Sequence, residues 1–246
     1  MTATAGEPLF GQTVVVIGGS AGIGLATARR ARAAGAAVVL TGRNQQRLDD
    51  AAKDVGALDT AVFDATDFAA LARFFDGLAE PVDHILVSGS GPYYAPLTEI
   101  DLELARRDFD QHLFVPIEVA RHALGKVRPS GSLVLIGGTG GRQPGIGRAT
   151  ISAMTAALPA LTRNLALELA PIRVNLVAPG FVDTSLSAAL LGDGLDDRRA
   201  QLRETLPIRR VVGPEDVAAL AVHLMTNTAV TGATFDVDGG QQLLPG

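Results

Sequence analysis

The chain lacks cysteine and tryptophan, and its 246 residues include only two tyrosines and two lysines. Without cysteine there is no disulfide, thiol nucleophile or thiolate metal site, which suits a reducing compartment. The net charge is −5 and no run of Lys or Arg stands out, so nucleic acid is not an expected partner. No apolar stretch approaches the roughly 18 residues of a membrane span, and residues 1–8 lack the features of a secretion signal. We expect a cytoplasmic globular protein without a metal site or a membrane anchor.

What the chain does contain is a regular alternation of short β-branched runs and Ala- and Leu-rich helical stretches. Most of the runs are continuously apolar, as in parallel strands that are covered on both faces. We predict an α/β fold: a single-domain Rossmann fold over residues 1–246, with a doubly wound, mostly parallel seven-stranded sheet flanked by helices. The predicted strands are Thr13–Ile17, Ala37–Thr41, Thr60–Phe63, His84–Ser88, Ser132–Ile136, Arg173–Ala178 and Thr234–Val237. The predicted helices are Gly22–Ala34, Gln45–Val55, Phe68–Leu78, Leu102–Leu124, Ser152–Leu169 and Pro214–Met225.

Two features interrupt this regular pattern. Residues 183–210 are rich in small, charged and leucine residues and show no clear period. A substrate lid and a plain surface excursion both fit this segment. Pro116 and Pro159 fall inside two predicted helices, where each should remove a hydrogen bond and bend the axis.

A glycine-rich turn follows the first predicted strand directly and opens the first helix. A phosphate cradle needs backbone N–H groups aimed at the anion, no Cβ where the pyrophosphate approaches, and a helix N-terminus behind it. The strand–turn–helix context therefore predicts dinucleotide binding, with a glycine turn required only for tight packing as the alternative. The predicted cofactor contacts in this turn are Gly18, Ser20, Ala21, Gly22, Ile23 and Gly24.

The segment after the second strand bears on the choice of cofactor. Rossmann proteins that prefer NAD commonly place an acid here, whereas this chain has Arg43 and Asn44. Because a guanidinium suits a 2′-phosphate, we expect NADP(H) to be favoured over NAD(H). Asp64, followed by Ala65, is predicted to lie at the adenine. The alternatives are a solvated Arg43 and a helix-capping role for Asp64, directly or through Asp67.

Several segments together resemble the short-chain dehydrogenase/reductase family over essentially the whole chain. They are Phe63-Asp64-Ala65-Thr66-Asp67, Leu165-Ala166-Leu167-Glu168-Leu169-Ala170, Ile172-Arg173-Val174-Asn175, Ala178-Pro179-Gly180-Phe181-Val182-Asp183-Thr184 and Asp236-Val237-Asp238-Gly239-Gly240. The resemblance implies hydride transfer between a nicotinamide and a carbonyl or alcohol carbon. It also implies homodimers or homotetramers that pair through the long helices. Further cofactor contacts implied in this way are Ser88, Gly89, Ser90, Pro179, Gly180, Val182 and Thr184.

The chain departs from the family at the residues that carry the reaction. The family uses a tyrosine as proton donor, a lysine that lowers the tyrosine pKa, a serine that orients the substrate and an asparagine that supports a proton relay. The tyrosine position holds Ile151 and the lysine position holds Thr155. The serine position falls on Gly138 or nearby, and the asparagine position is His112. The resemblance therefore predicts a cofactor site without the usual acid.

The residue counts support this absence independently of any alignment. Tyr93 and Tyr94 are followed four residues later by Leu97 and Thr98, so no Tyr-x-x-x-Lys motif exists in the chain. The loss of a positioned general acid typically costs about 10²- to 10⁴-fold in rate.

Four residues are weak candidates to replace the missing groups, and none is a confident catalytic residue. His112 has a side chain that titrates near neutrality, with a structural helix histidine as the alternative. Tyr93 or Tyr94 is a second possible donor, with aromatic packing as the alternative. Thr139 is a substitute for the orienting serine or a simple turn residue. Two arginines, Arg142 and Arg148, are predicted either to hold an anionic substrate or to be solvated loop residues.

Three functions are compatible with the sequence. The first is an atypical NADP(H)-dependent reductase that acts on a small carbonyl or enone substrate. The second is a catalytically inactive cofactor-binding sensor or regulator. The third is a structural subunit of a homo-oligomer, or of a hetero-oligomer with an active relative.

Overall fold

The computed structural model describes residues 6–89 and 91–244. Within these ranges the chain forms a sheet of seven strands in the order β3-β2-β1-β4-β5-β6-β7, and every neighbouring pair is parallel. The predicted doubly wound Rossmann sheet is confirmed. The strand order reverses beside β1, and the crevice at such a switch point is where ligands bind in sheets of this kind. The strands are β1 (Thr13–Ile17), β2 (Ala37–Gly42), β3 (Asp59–Val62), β4 (Val82–Val87), β5 (Val127–Ile136), β6 (Arg173–Pro179) and β7 (Thr234–Val237).

Helices cover both faces of the sheet. No helix of the described ranges is long and apolar enough to cross a membrane. The α-helices are α1 (Gly22–Ala33), α2 (Gln45–Val55), α3 (Phe68–Asp76), α4 (Leu102–Phe109), α5 (Val115–Ala123), α6 (Ala149–Glu168), α7 (Ser185–Leu191), α8 (Leu195–Thr205) and α9 (Pro214–Thr226).

The core has two layers, one on each side of the sheet. In β1, Val14 and Val16 share one apolar cluster with residues of α1, α2 and α9. Val15 and Ile17 belong to the opposite cluster, with residues of α3, α5 and α6. All four side chains are at most 2% exposed, and burial of each contributes roughly 1.5–3 kcal/mol. This two-sided burial explains why the strands are continuously apolar.

One imidazole is buried within this apolar sheet. His84, on β4, is 3% exposed. Its Nδ1 lies 2.8 Å from the hydroxyl oxygen of Ser132 on β5, and its Nε2 lies 2.7 Å from the amide oxygen of Gln12. Burial, followed by the charge of Arg173, lowers the pKa of His84 from its ordinary 6.5 to about 4. The ring is therefore neutral in the folded protein at neutral pH.

The long helix predicted over Leu102–Leu124 is divided, because a π-helical turn at Asp110–Phe114 separates α4 from α5. The N–H of Val115 donates to the carbonyl of Asp110, five residues earlier. The next residue, Pro116, has no N–H to donate, and in a regular helix its ring would clash with the carbonyl of His112. The predicted effect of Pro116 thus takes the form of a widened turn. Pro159, in contrast, lies inside a helix that continues past it.

The segment 183–210 is more regular than its sequence suggested, since it contains α7 and α8. Thr184 caps the N-terminus of α7, and its hydroxyl accepts a hydrogen bond from the N–H of Ser187 at 3.3 Å. Arg199 on α8 makes two hydrogen bonds to the carboxylate of Asp183, at 2.8 and 2.9 Å. This pair joins α8 to the segment that leaves β6. The sequence of α8 shows no helical period because this helix buries a single residue, Leu202.

Candidate active site

The glycine turn after β1 has the geometry of a phosphate cradle. Gly18 adopts φ +83°, and a Cβ there would overlap the carbonyl oxygen of Ser88 at the end of β4. A Cβ on Gly24 would overlap the carbonyl oxygen of Gly18, so α1 approaches the turn only because this position is glycine. The first turn of α1 contains no acidic residue, and Ala21 provides no side-chain cap. The positive end of the helix therefore remains suited to an anion, and these residues fit a dinucleotide pyrophosphate.

The residues predicted at the adenine end lie together beyond β2 and β3. The guanidinium of Arg43 is 3.8 Å from the carboxylate of Asp64, and both side chains are largely exposed. Asp64 also accepts hydrogen bonds from the N–H and the hydroxyl of Thr66. The cap of α3 is Asp67, which accepts from the N–H of Ala70, and the cap of α2 is the side chain of Asn44. Asp64 is thus not the residue that caps the helix.

A cavity of about 1120 Å³ opens at the carboxyl ends of β4, β5 and β6. It brings together part of the predicted cofactor set and all four weak catalytic candidates: Ile23, Ser88, Gly89, Pro179, Gly180, Val182, Thr184, Tyr93, Tyr94, His112 and Thr139. The other predicted contacts do not line it; they are Gly18, Ser20, Ala21, Gly22, Gly24, Arg43, Asn44, Asp64 and Ala65. Ser90 lies outside the described residues.

The positions that correspond to the family's tyrosine and lysine are apolar or internally bonded. Ile151 lines the cavity and is 4% exposed. The hydroxyl of Thr155 donates to the carbonyl of Ile151 at 2.8 Å, within α6. A Cβ on Gly141 would overlap that hydroxyl, so the loop after β5 packs closely on this part of the helix. Neither position presents a group that titrates.

His112 lies in the π turn and faces the end of β4. Its Nε2 is 3.1 Å from the place where a Cβ on Gly89 would stand. Its Nδ1 is 2.9 Å from the carbonyl oxygen of Asp108 and 3.1 Å from the Asp108 carboxylate. Because a carbonyl oxygen only accepts, Nδ1 carries a proton. Nε2 is the nitrogen that lies toward Gly89, which also lines the cavity. Asp108 is 6% exposed, and its second oxygen has no hydrogen-bond partner among the residues described.

The two tyrosines differ in their surroundings. The Tyr93 hydroxyl accepts a hydrogen bond from the N–H of Asp101 at 2.9 Å, which ties this loop to the start of α4. The Tyr94 hydroxyl is 3.6 Å from the position of a Cβ on Gly140, and both residues line the cavity. Burial raises the pKa of Tyr94; the charge of Arg148 opposes this effect and that of Asp108 adds to it. Tyr94 is consequently a neutral phenol at physiological pH.

Thr139 is the polar side chain at the end of β5 that lies nearest the family's serine position. It is 1% exposed and lines the cavity. Its hydroxyl has no hydrogen-bond partner within residues 6–89 and 91–244. A buried hydroxyl without a partner costs about 1–3 kcal/mol, so a ligand oxygen that bonded it would recover part of that cost.

Some features of this site were not predicted from the sequence. Asp108 was missed, although its spacing of four residues from His112 places both on one helical face. Arg198, on α8, lines the cavity and was not singled out. Of the two arginines predicted to bind an anion or to be solvated, Arg148 lines the cavity, whereas Arg142 forms an ion pair with Asp236. No group of three or more His, Asp or Glu side chains in the described chain is arranged to hold a metal ion.

The parallel sheet and the glycine cradle, with a cavity beside them, are the features of a dinucleotide-binding protein of the Rossmann type. A family model described as "Enoyl-(Acyl carrier protein) reductase" matches residues 18–242. The short-chain dehydrogenase/reductase ATR9 of Stachybotrys chlorohalonatus is 31% identical over 250 residues, covering 94% of this chain and 96% of the relative. The chain belongs to the short-chain dehydrogenase/reductase family.

Solved structures agree with this assignment. The structure of the MalC reductase/Diels-Alderase from Malbranchea aurantiaca has a TM-score of 0.89 at 26% identity, covering 97% of this chain and 99% of that one. A small-chain dehydrogenase in complex with NADPH has a TM-score of 0.82 at 26% identity, covering 95% of this chain and 99% of the other. A structural neighbour with this fold therefore binds NADPH.

Proposed function

We propose that this protein is an NADP(H)-dependent reductase of a small carbonyl or enone substrate in which His112 supplies the proton. The observation that carries the proposal is the buried Asp108–His112 pair at the cavity, beside positions 151 and 155 that have no titratable group. The glycine cradle would hold a nicotinamide cofactor, which would supply hydride to the substrate carbon. The name of the structural neighbour MalC includes a reductase activity, which supports the reaction class.

The chain's own groups then handle the substrate oxygen. The imidazolium of His112 donates its Nε2 proton to the oxygen that gains the electron pair, and the ring returns to its neutral form. Asp108 holds Nδ1–H, so that the ring keeps its orientation in both states, and its negative charge stabilises the imidazolium. Thr139 donates its unpaired hydroxyl proton as a hydrogen bond to the same oxygen. Water then reprotonates His112.

A rate assay combined with a binding assay tests this mechanism. NADPH consumption is measured on a panel of aldehydes, ketones and enones, and NADPH affinity is measured by calorimetry. We expect His112→Ala to lower kcat about 10²- to 10⁴-fold with NADPH affinity retained. Thr139→Val should lower kcat, and Thr139→Ser should restore it. Full turnover by His112→Ala would remove this residue from the mechanism, and an inactive wild type that binds NADPH would reject the reductase.

The preference for NADP(H) is part of the proposal and is supported by Arg43. This guanidinium is 60% exposed and is held only loosely by Asp64 at 3.8 Å, so it is able to turn toward a 2′-phosphate. The structural neighbour crystallised with NADPH is consistent with this choice.

A catalytically inactive cofactor-binding protein is the second candidate function. The specific observation in its favour is that the positions of the family's tyrosine and lysine present no reactive group. Ile151 is buried, and the hydroxyl of Thr155 is bonded within its own helix. In that case the protein senses NADP(H) or serves as a structural subunit. NADPH binding without turnover on the panel, together with co-purification of an active relative, would favour this function.

Residues 183–210 are proposed to act as the substrate lid, and the protein to act as a homodimer or homotetramer. Four residues from each lid helix line the cavity: Leu186, Ser187, Leu190 and Leu191 from α7, and Arg198, Gln201, Leu202 and Thr205 from α8. The outward side chain of Leu167 on α6 is 79% exposed, which suits a helix that pairs with another subunit. Light scattering of the purified protein tests the oligomeric state.

A further inference from the structure

The charge of the cavity differs in sign from the charge of the protein. The chain carries a net charge of −5. Yet the described lining of the cavity contains two arginines, Arg148 and Arg198, and neither aspartate nor glutamate. The two arginines come from separate parts of the chain, the residue before α6 and the lid helix α8. Folding therefore brings two cations to a mainly apolar space whose described lining contains no carboxylate.

The immediate surroundings make these two cations unfavourable in the absence of an anion. Burial lowers the pKa of Arg198, and the charge of Arg148 lowers it further, so the two guanidinium groups repel each other. Arg148 also precedes the first turn of α6, which has no acidic residue. The partial positive charge of a helix N-terminus adds to its own charge there.

Other arginines near the cavity have carboxylate partners, which makes the contrast informative. Arg199, the next residue on α8, is bonded to Asp183, and Arg142 is paired with Asp236. In the described chain, Arg198 instead bonds the amide oxygen of Gln201 at 2.7 Å and lies 5.8 Å from the ring centre of Phe181. Among the residues described, the Arg148 guanidinium makes one long hydrogen bond, at 3.4 Å, to the carbonyl of Gln143. Neutral acceptors orient these guanidinium groups but leave their charge uncompensated.

We infer that Arg148 and Arg198 bind an anionic group of the substrate, such as a carboxylate. This inference takes from the proposed function that the cavity holds a substrate. Apolar side chains, among them Ile151, Met154 and Leu190, line the space around the two cations. The geometry therefore suits an apolar carbonyl compound with a carboxylate at one end. Since Arg198 is on the lid, the anion also joins α8 to the loop before α6.

Binding, not turnover, provides the test, so that the result does not depend on catalysis. The probes are a series of ω-benzoyl carboxylates with two to six methylene groups, each paired with its primary amide. Calorimetry measures their affinities for the NADPH-saturated protein at low and high salt. We expect at least one acid to bind about tenfold or more tightly than its amide, and less tightly at high salt. An inactive wild type that shows this preference would contradict the reductase while supporting the anion site.

Matched variants complete the experiment. Arg148→Gln and Arg198→Gln should each reduce the preference for the acid, and the double variant should abolish it. Arg203→Gln, at an exposed position on the same helix, should leave it unchanged. Equal affinity of every acid and amide, or a preference that survives in the double variant, overturns the inference. A loss of NADPH affinity in the Arg198 or Arg148 variant would assign that arginine to the cofactor site. That result would also overturn the inference.

Discussion

Acid pH should weaken the fold through one buried side chain, His84. Its folded pKa is about 4, against an ordinary value of 6.5, so folding favours the neutral ring. The resulting stabilisation is complete above pH 6.5 and is lost as the pH falls from 6.5 toward 4. A lowering of the pKa from 6.5 to about 4 corresponds to about 3 kcal/mol in total, of which about 2 kcal/mol is lost between pH 7 and pH 5.

Urea denaturation at pH 7 and pH 5 measures this loss. Other groups titrate over the same interval, so the comparison is with His84→Gln, which removes the imidazole and keeps a polar side chain. We expect the wild type to lose about 2 kcal/mol more than the variant on acidification. NMR titration of the wild-type ring is the second measurement, since it needs no variant. A His84 ring that titrates near 6.5 in the folded protein, or identical pH profiles for the two proteins, would refute the reasoning.

Three further predictions concern the cofactor site and the lid. Gly18→Ala places a Cβ against the Ser88 carbonyl, and calorimetry should show at least about a tenfold loss of NADPH affinity; unchanged affinity would contradict the cradle. Arg43→Ala should weaken NADPH binding about tenfold or more and leave NADH binding unchanged, whereas equal losses for both would exclude a role at the 2′-phosphate. Arg199→Gln breaks the double hydrogen bond to Asp183, so amide hydrogens of residues 195–205 should exchange faster with solvent. Exchange at the wild-type rate would show that packing alone holds α8.

The fold was predictable because its signals are local and repeated. Apolar strands, amphipathic helices and the glycine turn each depend on residues that are close in the sequence, and the two-sided burial of β1 confirms the interpretation. The helices of residues 183–210 were not evident, because α8 is mostly polar and its single buried residue, Leu202, gives no period. The candidate site was harder to predict, since it depends on distant contacts. Arg198 and Arg148 are 50 positions apart, and nothing local marks them as neighbours.

The π turn before Pro116 fixes the direction in which position 112 points. Such a turn contains one residue more than a regular helical turn, and one residue corresponds to about 100° of rotation about the axis. Deletion of a single residue from Asp110–Phe114 would therefore rotate α4 about the helix axis relative to α5. The side chains of His112 and Asp108 would change direction with it. What the side chain at position 112 can contact therefore depends both on its residue type and on the register of the helix that carries it. Substitutions at this site in related chains are comparable only where the widened turn is also present.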